Sequence, residues 1–364
     1  MLSFVDHHRQ SRSLKAQPQM SQDQSPSIAV VFPNRNDAKH LRTCLDSILN
    51  QDIPPDELVI VDDQSTDNSV SIIRERIAGY SWVRLMTNPV NIGANRSVSL
   101  GLQNIKSDYV LTLSSNDFVL PGIFARAKSC LARFPSAGVW SAMACFADDH
   151  DAIIGLHASP VISRRDAYFS PKQCAALGLK FGSWFASNTM IFRRKALLDA
   201  GGFNTDYKGL SDLLAALVVA CREGAAYSPE PLGVLRLHPG GLLAKSLDDA
   251  KSLDSLLQII QASGPRWEPA LFTDAFLERL KLRLYFANVR LTGGQSLPDI
   301  AARCSNARQR ALSALHSLVP EKWSRLRVGL AFLLLRPFDI LPTLWYRAIG
   351  TALIRIRIRL GRRY

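Results

Sequence analysis

The sequence predicts an α/β protein with a mostly parallel sheet flanked by helices. Short apolar runs of β-branched type alternate with segments whose apolar residues repeat at helical spacing, as in right-handed β-α-β units. Polar residues follow these runs, as expected where parallel strands end at a ligand-binding crevice. The chain has 364 residues, of which 47% are hydrophobic and 21% charged, a composition typical of a folded protein.

The first predicted unit begins with a strand at residues 28–33 and a polar loop at 34–37. The helix that follows has one apolar face, formed by Leu41, Leu45, Ile48 and Leu49. A Pro-Pro break then precedes a second strand, ELVIV at 57–61, which is too short for a helix and typical of a strand covered on both faces. These elements form a β-α-β unit.

A pair of carboxylates, Asp62 and Asp63, stands at the carboxyl end of the second strand. Ser65 or Thr66 is predicted to cap the next helix by accepting its first free N–H groups. Because ligands of open parallel sheets bind outside the carboxyl ends of the strands, this pair is placed where a ligand would bind.

The regular pattern continues with a helix near 69–78, a strand at 82–86, a helix near 94–105 and a strand at 109–114. A third polar strand end follows at Ser114, Ser115, Asn116 and Asp117. Later in the chain, residues 147–180 are assigned as a loop, Ser183 to Arg193 as a strand, and Asp212 as the start of an apolar helix.

The cysteine spacing, the N-terminal residues and the distribution of charge limit the classes of protein to which the chain can belong. The six cysteines include no C-x-x-C pair, so neither a zinc site nor a disulfide framework is indicated. Residues 1–26 lack an apolar run suitable for a signal peptide, and we predict a disordered arm on a cytoplasmic protein. Of the net charge of +13, +8 comes from residues 321–364, whose interleaved apolar residues favour a membrane surface over nucleic acid as the partner.

Six strings of residues occur in the order found in family 2 glycosyltransferases, and the sequence resembles that family from about Ile28 to Lys245. The strings are VVFPNRN, ELVIVDDQSTDNS, the NIG of residues 91–93, SSNDFVLP, GGFN and LRLHPGG. The resemblance implies a glycosyltransferase A type fold, a single α/β domain that binds a nucleotide-sugar and inverts the anomeric centre.

The resemblance places the donor nucleotide at the end of the second strand. Asp63 aligns with the family carboxylate that accepts a hydrogen bond from the base, a suitable use of an acceptor-only group. The alternative role, a cap on the next helix, fits Asp62 better than Asp63. Pro33 and Asn36 match the family's first donor-binding loop, whereas Arg35 stands where an aromatic residue is usual and could instead contact a phosphate.

The main departure from the family is at the D-x-D motif, whose acidic residues hold a divalent ion that bridges the two phosphates. Ser114 and Asn116 occupy the two D-x-D positions, so Mg²⁺ or Mn²⁺ would have Asp117 and Asn116 as ligands, and an amide brings no charge. If the metal is weak or absent, the leaving diphosphate needs cationic side chains. The candidates are Arg236, His238, Lys245 and Arg96.

Two of these cations have a second interpretation. Arg96 lies early in a predicted helix, where it either approaches the diphosphate or remains a solvated surface arginine. His238 either reaches the metal or diphosphate, as a histidine does in relatives, or only orders the glycine turn that follows it. The segment from Gly240 to Lys245 has the composition of a flexible loop that could close over the donor and exclude water.

The resemblance also identifies a general base. Asp212 corresponds to the second residue of the family's Glu-Asp pair, with Ser211 in place of the Glu. As the base, Asp212 would take the proton from the acceptor hydroxyl as that oxygen attacks the anomeric carbon. The alternative role is charge complementarity, because the helix dipole stabilises an anion in the first turn.

The C-terminal part is predicted to be helical and then membrane-associated. The apolar run at 328–335 is shorter than the roughly 20 residues that span a bilayer, and the tail beyond it combines aromatic residues with an alternating IRIRIRLGRR segment. We predict an interfacial anchor, with packing of 328–335 on the catalytic domain and a spanning hairpin as alternatives. The predicted organisation is an arm at 1–26, a catalytic domain at 27–245, a helical extension at 246–327 and a basic amphipathic tail at 328–364.

These observations predict an inverting, hexosyltransferase-like glycosyltransferase in cell-surface polysaccharide synthesis. It would act peripherally at the cytoplasmic membrane face, on a glycan or lipid-linked acceptor. A nucleotidyltransferase should have a glycine-rich loop after the first strand, and residues 33–37 contain no glycine. A catalytically weak or inactive nucleotide-sugar-binding scaffold is the alternative, because of Ser114 and Asn116, and sugar transfer distinguishes the two.

Overall fold

The computed structural model describes residues 25–157, 159–236 and 250–336. The strands are β1 Ile28–Asn34, β2 Glu57–Asp62, β3 Val83–Thr87, β4 Tyr109–Thr112, β5 Phe118–Val119, β6 Val139–Ala147, β7 Ile153–Leu156, β8 Ala167–Phe169, β9 Ile191–Arg193 and β10 Ala225–Arg236. The helices are α1 Ala38–Leu49, α2 Ser69–Ile77, α3 Ala94–Gln103, α4 Ile123–Arg133, α5 Pro171–Phe181, α6 Arg194–Asp199, α7 Ser211–Glu223, α8 Ala250–Trp267, α9 Asp274–Leu291, α10 Leu297–Ala302, α11 Asn306–Leu318 and α12 Ser324–Leu335. His238, the loop from Gly240 to Lys245, the N-terminal arm up to residue 24 and the tail from residue 337 lie outside the described residues.

The ten strands form one sheet in the order β3-β2-β1-β4-β9-β6-β10-β5, with β7 beside β6 and β8 beside β10. Strands β1 to β4 are parallel to one another, and β10 is parallel to β6. Because β9 is antiparallel to both β4 and β6, these six strands run in the same direction. Their carboxyl ends therefore meet at one edge of the sheet, which confirms the predicted mostly parallel α/β fold.

The alternation of side chains along β1 produces two apolar layers. Ala29 and Val31 face one side of the sheet, where they join the cluster that contains α3 and α7. Ile28, Val30 and Phe32 face the other side, where they pack with α1 and α4. Since both faces are covered, the strand is apolar throughout, as the sequence predicts for a central parallel strand.

The helical extension shares its core with the sheet. One buried cluster contains Leu214 of α7, Leu253 of α8, Phe276 of α9 and Phe332 of α12. The indole N–H of Trp267 donates to the Ala200 carbonyl at 2.7 Å, so α8 is also joined to the end of α6. Within the described ranges, no helix is both long enough and apolar enough to cross a membrane.

The start of α2 differs from the prediction. The helix begins at Ser69, and neither Ser65 nor Thr66 caps it. The Asp67 carboxylate instead accepts from the Ser69 N–H at 3.0 Å and from the Ala38 N–H at 3.1 Å. Asp67 therefore satisfies free N–H groups at the starts of both α1 and α2, and local spacing does not reveal its contact with the distant Ala38.

The prediction of a loop at 147–180 is wrong, because this stretch contains β7, β8 and α5. Its two strands are short and antiparallel, and they form only by pairing with β6 and β10. The signal for α5 was present in the sequence, since Ser170 and Gln173 form a capping box around Pro171.

The strand assigned from Ser183 to Arg193 is limited to Ile191–Arg193. Residues 187–189 form a 3₁₀ turn instead. The Thr189 hydroxyl donates to the Ala186 and Ala142 carbonyls, both at 2.9 Å, and these side-chain bonds replace ladder bonds next to β6.

Candidate active site

Asp62 joins the carboxyl ends of β1 and β2. It is 2% exposed, and its Oδ1 accepts from the Asn34 amide at 2.8 Å and from the Ser65 hydroxyl at 2.6 Å. Its Oδ2 accepts from the Ser65 N–H at 3.0 Å. These contacts use the carboxylate to hold the strand ends together, in agreement with a mainly structural role.

Asp63 shapes the loop between β3 and α3. Its Oδ1 accepts from the Asn88 amide and the Ile92 N–H, both at 2.9 Å, and its Oδ2 accepts from the Gly93 N–H at 2.8 Å. Burial acts to raise the pKa of this carboxyl, but the N–H donors outweigh it and lower the pKa. Asp63 is therefore an ionised acceptor, and Oδ2, which has a single N–H donor, can still accept from a ligand.

The first loop is locked against the residues after Asp63. Asn36 adopts a left-handed conformation, with φ of 53°. Its Oδ1 accepts from the Thr66 N–H at 2.7 Å, and its own N–H donates to the Ser65 hydroxyl at 3.0 Å. Pro33 lies within β1, where its backbone is paired with that of Val61 in β2. The sheet therefore fixes the point at which this loop begins.

The four residues at the D-x-D position have different surroundings. Ser114 is exposed, Asn116 is half-buried, and Ser115 donates to the Asp37 carboxylate at 2.7 Å. Asp117 is 7% exposed and accepts from the Arg236 N–H at 2.8 Å. Asp117 is therefore the acidic residue of this segment and is joined to the end of β10, while the Asp37 carboxylate reaches the segment from the loop after β1.

The surroundings of Asp117 raise its pKa to about 7. Burial is the largest cause, and the charges of Asp37 and Asp212 act in the same direction, whereas Arg236 opposes them. Asp117 is thus divided between protonated and ionised forms near neutral pH. The sequence reasoning missed Asp37, although its place in the polar loop after β1 was the available signal.

Arg236 is a buried cation at the end of β10. Its guanidinium pairs with Asp151 and lies 5.5 Å from the centroid of the Phe118 ring. Its Nε and Nη1 have no hydrogen-bond partner among the residues that the structure describes. Buried donors without partners are costly, so this guanidinium has unused capacity for an anionic acceptor.

The turn between β6 and β7 covers Arg236. Asp151 accepts from the Thr43 hydroxyl at 2.7 Å, and Asp149 lies 3.1 Å from Nε2 of the buried His40. Burial, together with the Arg236 charge, lowers the pKa of His40. The sequence reasoning missed these residues, because the acidic turn at 148–151 fell in the stretch assigned as a loop.

Asp212 lies in the first turn of α7, a helix buried along most of its length. Its Oδ1 accepts from the Leu213 N–H at 2.7 Å. Burial raises the pKa of Asp212, against the opposing hydrogen bonds from Leu213 and Ser187. The charge of Asp212 also acts to raise the pKa of Asp117, so the two carboxylates interact electrostatically.

The starts of α3 and α7 are tied together. The Asn95 amide donates to the Ser211 hydroxyl at 3.0 Å, and that hydroxyl donates to the Lys208 carbonyl at 2.9 Å. Arg96 follows Asn95 and is exposed. The structure thus brings Asp37, Asp117, Asp212 and Arg236 together, with Arg96 in the adjoining first turn of α3.

Sequence comparison identifies a family for the first part of the chain. The model described as Glycosyl transferase family 2 matches residues 27–151. An uncharacterized protein of Mycobacterium tuberculosis is 30% identical over 220 residues, which are 58% of this chain and 67% of that protein. An uncharacterized glycosyltransferase of Haemophilus influenzae is 35% identical over 94 residues, 26% of this chain and 38% of its own length. The chain thus spans less than two thirds of the second relative.

Structural comparison supports the same fold over most of the chain. A mannosyltransferase from Pyrobaculum calidifontis, solved with GDP-mannose and Mn²⁺, has a TM-score of 0.54 and 22% identity, with 88% of this chain and 87% of that chain covered. Staphylococcus aureus TarS, in complex with UDP, has a TM-score of 0.53 and 17% identity over 93% of each chain. At these identities the likeness concerns the fold, which is of the glycosyltransferase A type.

Proposed function

The chain belongs to glycosyl transferase family 2, and on that premise we propose that it moves a sugar from a nucleotide-sugar donor to a hydroxyl of a glycan or lipid-linked acceptor. The observation on which this proposal rests is that Asp117 accepts from the Arg236 N–H at 2.8 Å at the carboxyl edge of the sheet, while Asp212, in the first turn of α7, acts electrostatically on Asp117. That edge is where ligands of open parallel sheets bind. It combines a carboxylate that can act as base with a cation that can face a phosphate.

We assign Asp212 as the general base of an inverting transfer. The acceptor hydroxyl gives its proton to the Asp212 carboxylate as its oxygen attacks the anomeric carbon, and the bond from that carbon to the diphosphate oxygen breaks. The raised pKa of Asp212 supports this role, because a carboxylate with greater proton affinity is a stronger base. The nucleoside diphosphate leaves from the opposite face of the sugar.

We assign the nucleotide base of the donor to a pocket at the end of β2. Asp63 would accept from an N–H of the base through capacity left after its three protein donors. Pro33 and Asn36 would form the wall of this pocket, since their loop is fixed to residues 65 and 66. Arg96, exposed at the start of α3, would approach the diphosphate from the adjoining side.

The described residues do not fit a resident divalent ion. Asp117, which follows the D-x-D positions, accepts from the Arg236 N–H and is acted on by the Arg236 charge. Asn116 brings no charge, and the Asp37 carboxylate already accepts from the Ser115 hydroxyl. No group of three or more His, Cys, Asp or Glu side chains within the described part of the chain could hold a metal. We therefore assign the diphosphate charge to Arg236, with a phosphate oxygen replacing Asp151 as its partner.

We place the reaction in cell-surface polysaccharide synthesis, peripherally at the cytoplasmic face of the membrane. Relatives over about a quarter of this chain include a poly(ribitol-phosphate) beta-glucosyltransferase of Bacillus spizizenii, at 33% identity, and a chondroitin synthase of Pasteurella multocida, at 31%. The basic tail at 328–364 is assigned as the part that holds the protein at the anionic surface.

A donor screen tests the proposal. GDP-mannose, UDP-glucose and UDP-N-acetylglucosamine are each added to the full chain, with Mn²⁺ or with a chelator, and thermal unfolding is recorded. A donor at 100 times its Kd adds about 2.7 kcal/mol to the free energy of unfolding. We expect one donor to stabilise the protein with the chelator present, and Arg236→Met to abolish that effect. Stabilisation by no donor contradicts the proposal, and stabilisation only with Mn²⁺ contradicts the role of Arg236.

The second candidate function is a nucleotide-sugar-binding scaffold without turnover. The observation in its favour is the replacement of the D-x-D carboxylates by Ser114 and Asn116. Both candidates predict donor binding, so the discriminating measurement is transfer of radiolabelled sugar from the stabilising donor to a glycan or lipid acceptor. Sugar transfer that depends on Asp212 excludes the scaffold.

A further inference from the structure

The last described helix, α12, is apolar on its outward face as well as its buried face. Its buried side consists of Ala331, Phe332 and Leu335. On the outward side, Leu326 and Leu333 are 45% and 40% exposed, and they are seven residues apart, so both point away from the core. A surface helix normally has a polar outward face, and one that is apolar all round normally has something covering it.

Neighbouring residues extend this apolar surface. Trp323, which immediately precedes α12, is 55% exposed, and Leu318, the last residue of α11, is 80% exposed. Four of the eleven large apolar side chains that are exposed among the described residues therefore fall between positions 318 and 333. Single exposed apolar residues need no explanation, but a contiguous group indicates an interaction surface.

The apolar surface has a positive border. Lys322 and Arg325 are exposed beside Trp323 and Leu326, and the exposed Glu321, which accepts from the Gln295 amide, leaves this border with a net charge of +1. Arg327 is turned inward instead, where it donates to the His316 carbonyl at 3.0 Å and fixes α12 against the end of α11. The border thus has a net positive charge, and within the described part of the chain its two cations are exposed next to apolar side chains held on a rigid support.

We propose that this surface, the α12 face, lies on an anionic lipid bilayer. It is formed by Leu318, Lys322, Trp323, Arg325, Leu326 and Leu333. Apolar side chains, a tryptophan and flanking cations together match the boundary between acyl chains and anionic headgroups. A second copy of the chain is a poorer occupant, because two positive faces repel each other. The inference concerns where the protein docks and does not depend on its transferase chemistry.

Vesicle sedimentation with the full chain tests the proposal. The vesicles contain phosphatidylcholine alone or phosphatidylcholine with phosphatidylglycerol. The variants are Lys322→Glu with Arg325→Glu, and Leu326→Glu with Leu333→Glu. The control is Ile53→Glu with Leu198→Glu, two residues elsewhere on the surface that are 48% and 42% exposed.

We expect the natural chain to prefer anionic vesicles and each α12-face variant to bind them at least about tenfold more weakly, since each basic residue near such a surface contributes about 1 kcal/mol. The control should bind like the natural chain. Unchanged binding of both α12-face variants, or an equal loss in the control, overturns the proposal.

A conservative variant separates loss of membrane contact from loss of the folded structure. Trp323→Phe should keep the natural unfolding temperature, because the side chain is more than half exposed. With bromine-labelled acyl chains, the natural protein should lose tryptophan fluorescence on binding, and Trp323→Phe should show a smaller loss. Equal quenching in the two proteins overturns the proposal. So does a lipid-free dimer, detected by light scattering, that the α12-face variants dissociate.

Discussion

Three carboxylates at one edge of the sheet have different proton affinities, and their surroundings explain the differences. Three N–H donors keep Asp63 ionised. Asp117 has one N–H donor and two carboxylate neighbours, and burial raises its pKa to about 7. Asp212, with a raised pKa, is held at the start of a buried helix. The surroundings of an aspartate side chain therefore decide whether it acts as a fixed anion, a titrating group or a base.

Replacing the assigned base should separate binding from turnover. Asp212→Asn removes the proton acceptor while keeping the shape of the side chain, so we expect donor Kd to stay unchanged and kcat to fall by about 10² to 10⁴. Asp199→Asn is the control, because Asp199 is exposed and pairs only with Lys195 in the described structure. Steady-state kinetics and donor titration check the prediction, and full turnover by Asp212→Asn would show that another group takes the proton.

Asp117 should make stability depend on pH. Its pKa is about 7 in the folded chain against an ordinary value of 3.8, so the folded state binds the proton more tightly. This contribution to stability is fully present below pH 3.8 and is lost as pH rises through 7. From pH 5 to pH 8, the unfolding free energy of the natural chain should therefore fall by roughly 2.6 kcal/mol relative to Asp117→Asn. Urea denaturation at both pH values measures the difference, and a constant difference would contradict it.

At the scale of elements, the site depends on how closely α3 lies on the sheet. Gly101 faces β1 and β2, and a Cβ atom at this position would lie 2.4 Å from Val31 Cγ1 and 3.3 Å from Val61 Cγ2. The same helix begins with Asn95, which bonds to Ser211 at the start of α7. A displacement of α3 would therefore move the loop around Asp63 and the start of α7 together.

Gly101→Ala should destabilise the protein by about 1 to 3 kcal/mol, because overpacking outweighs the gain in helix propensity. Gly329→Ala is the matched control, since it also lies in a helix and its Cβ would meet no heavy atom of the described structure within 4 Å. The control should be neutral or more stable by up to about 1 kcal/mol. Chemical denaturation compares the two, and equal effects would contradict the close packing of α3.

At the scale of the whole molecule, the predicted boundary near residue 246 does not divide the core. Phe276 of α9 is fully buried, lies 5.4 Å from the Phe272 ring, and is close to Gly178 of α5. Trp267 and Arg222 add contacts between the extension and the catalytic part. A shared apolar cluster of this kind favours unfolding as one cooperative unit.

Phe276→Ala should therefore lower the free energy of unfolding by about 3 to 5 kcal/mol while leaving a single transition. Leu291→Ala, on the same helix but 48% exposed, is the control and should change stability by less than about 1 kcal/mol. Circular dichroism and loss of donor binding should give coincident unfolding curves. Two separate transitions would show that the extension folds independently.

Much of the first half of the fold could be predicted from the sequence, because its signals are local. Strands β1 and β2 are continuous apolar runs, and the helices between β1 and β4 lie within a few residues of their predicted bounds. The acidic pair at 62–63 follows a strand directly, so its place at the sheet edge depends only on chain direction. The family resemblance assigns Asp63 to the donor base, which stays a prediction, whereas the mainly structural contacts of Asp62 are seen in the structure.

The sequence by itself determined the alternating α/β pattern and the chemistry available at each strand end, since periodicity and residue type act over a few positions. Only the tertiary structure decided which of these groups meet. Asp117 bonds to Arg236 across 119 positions, and Asp151 pairs with Arg236 from the turn between β6 and β7, 85 positions away. Short strands such as β7 and β8 exist through pairing with distant partners, and buried carboxylates change their pKa through neighbours brought together by the sheet. These are non-local interactions, and the spacing of residues along the chain does not encode them.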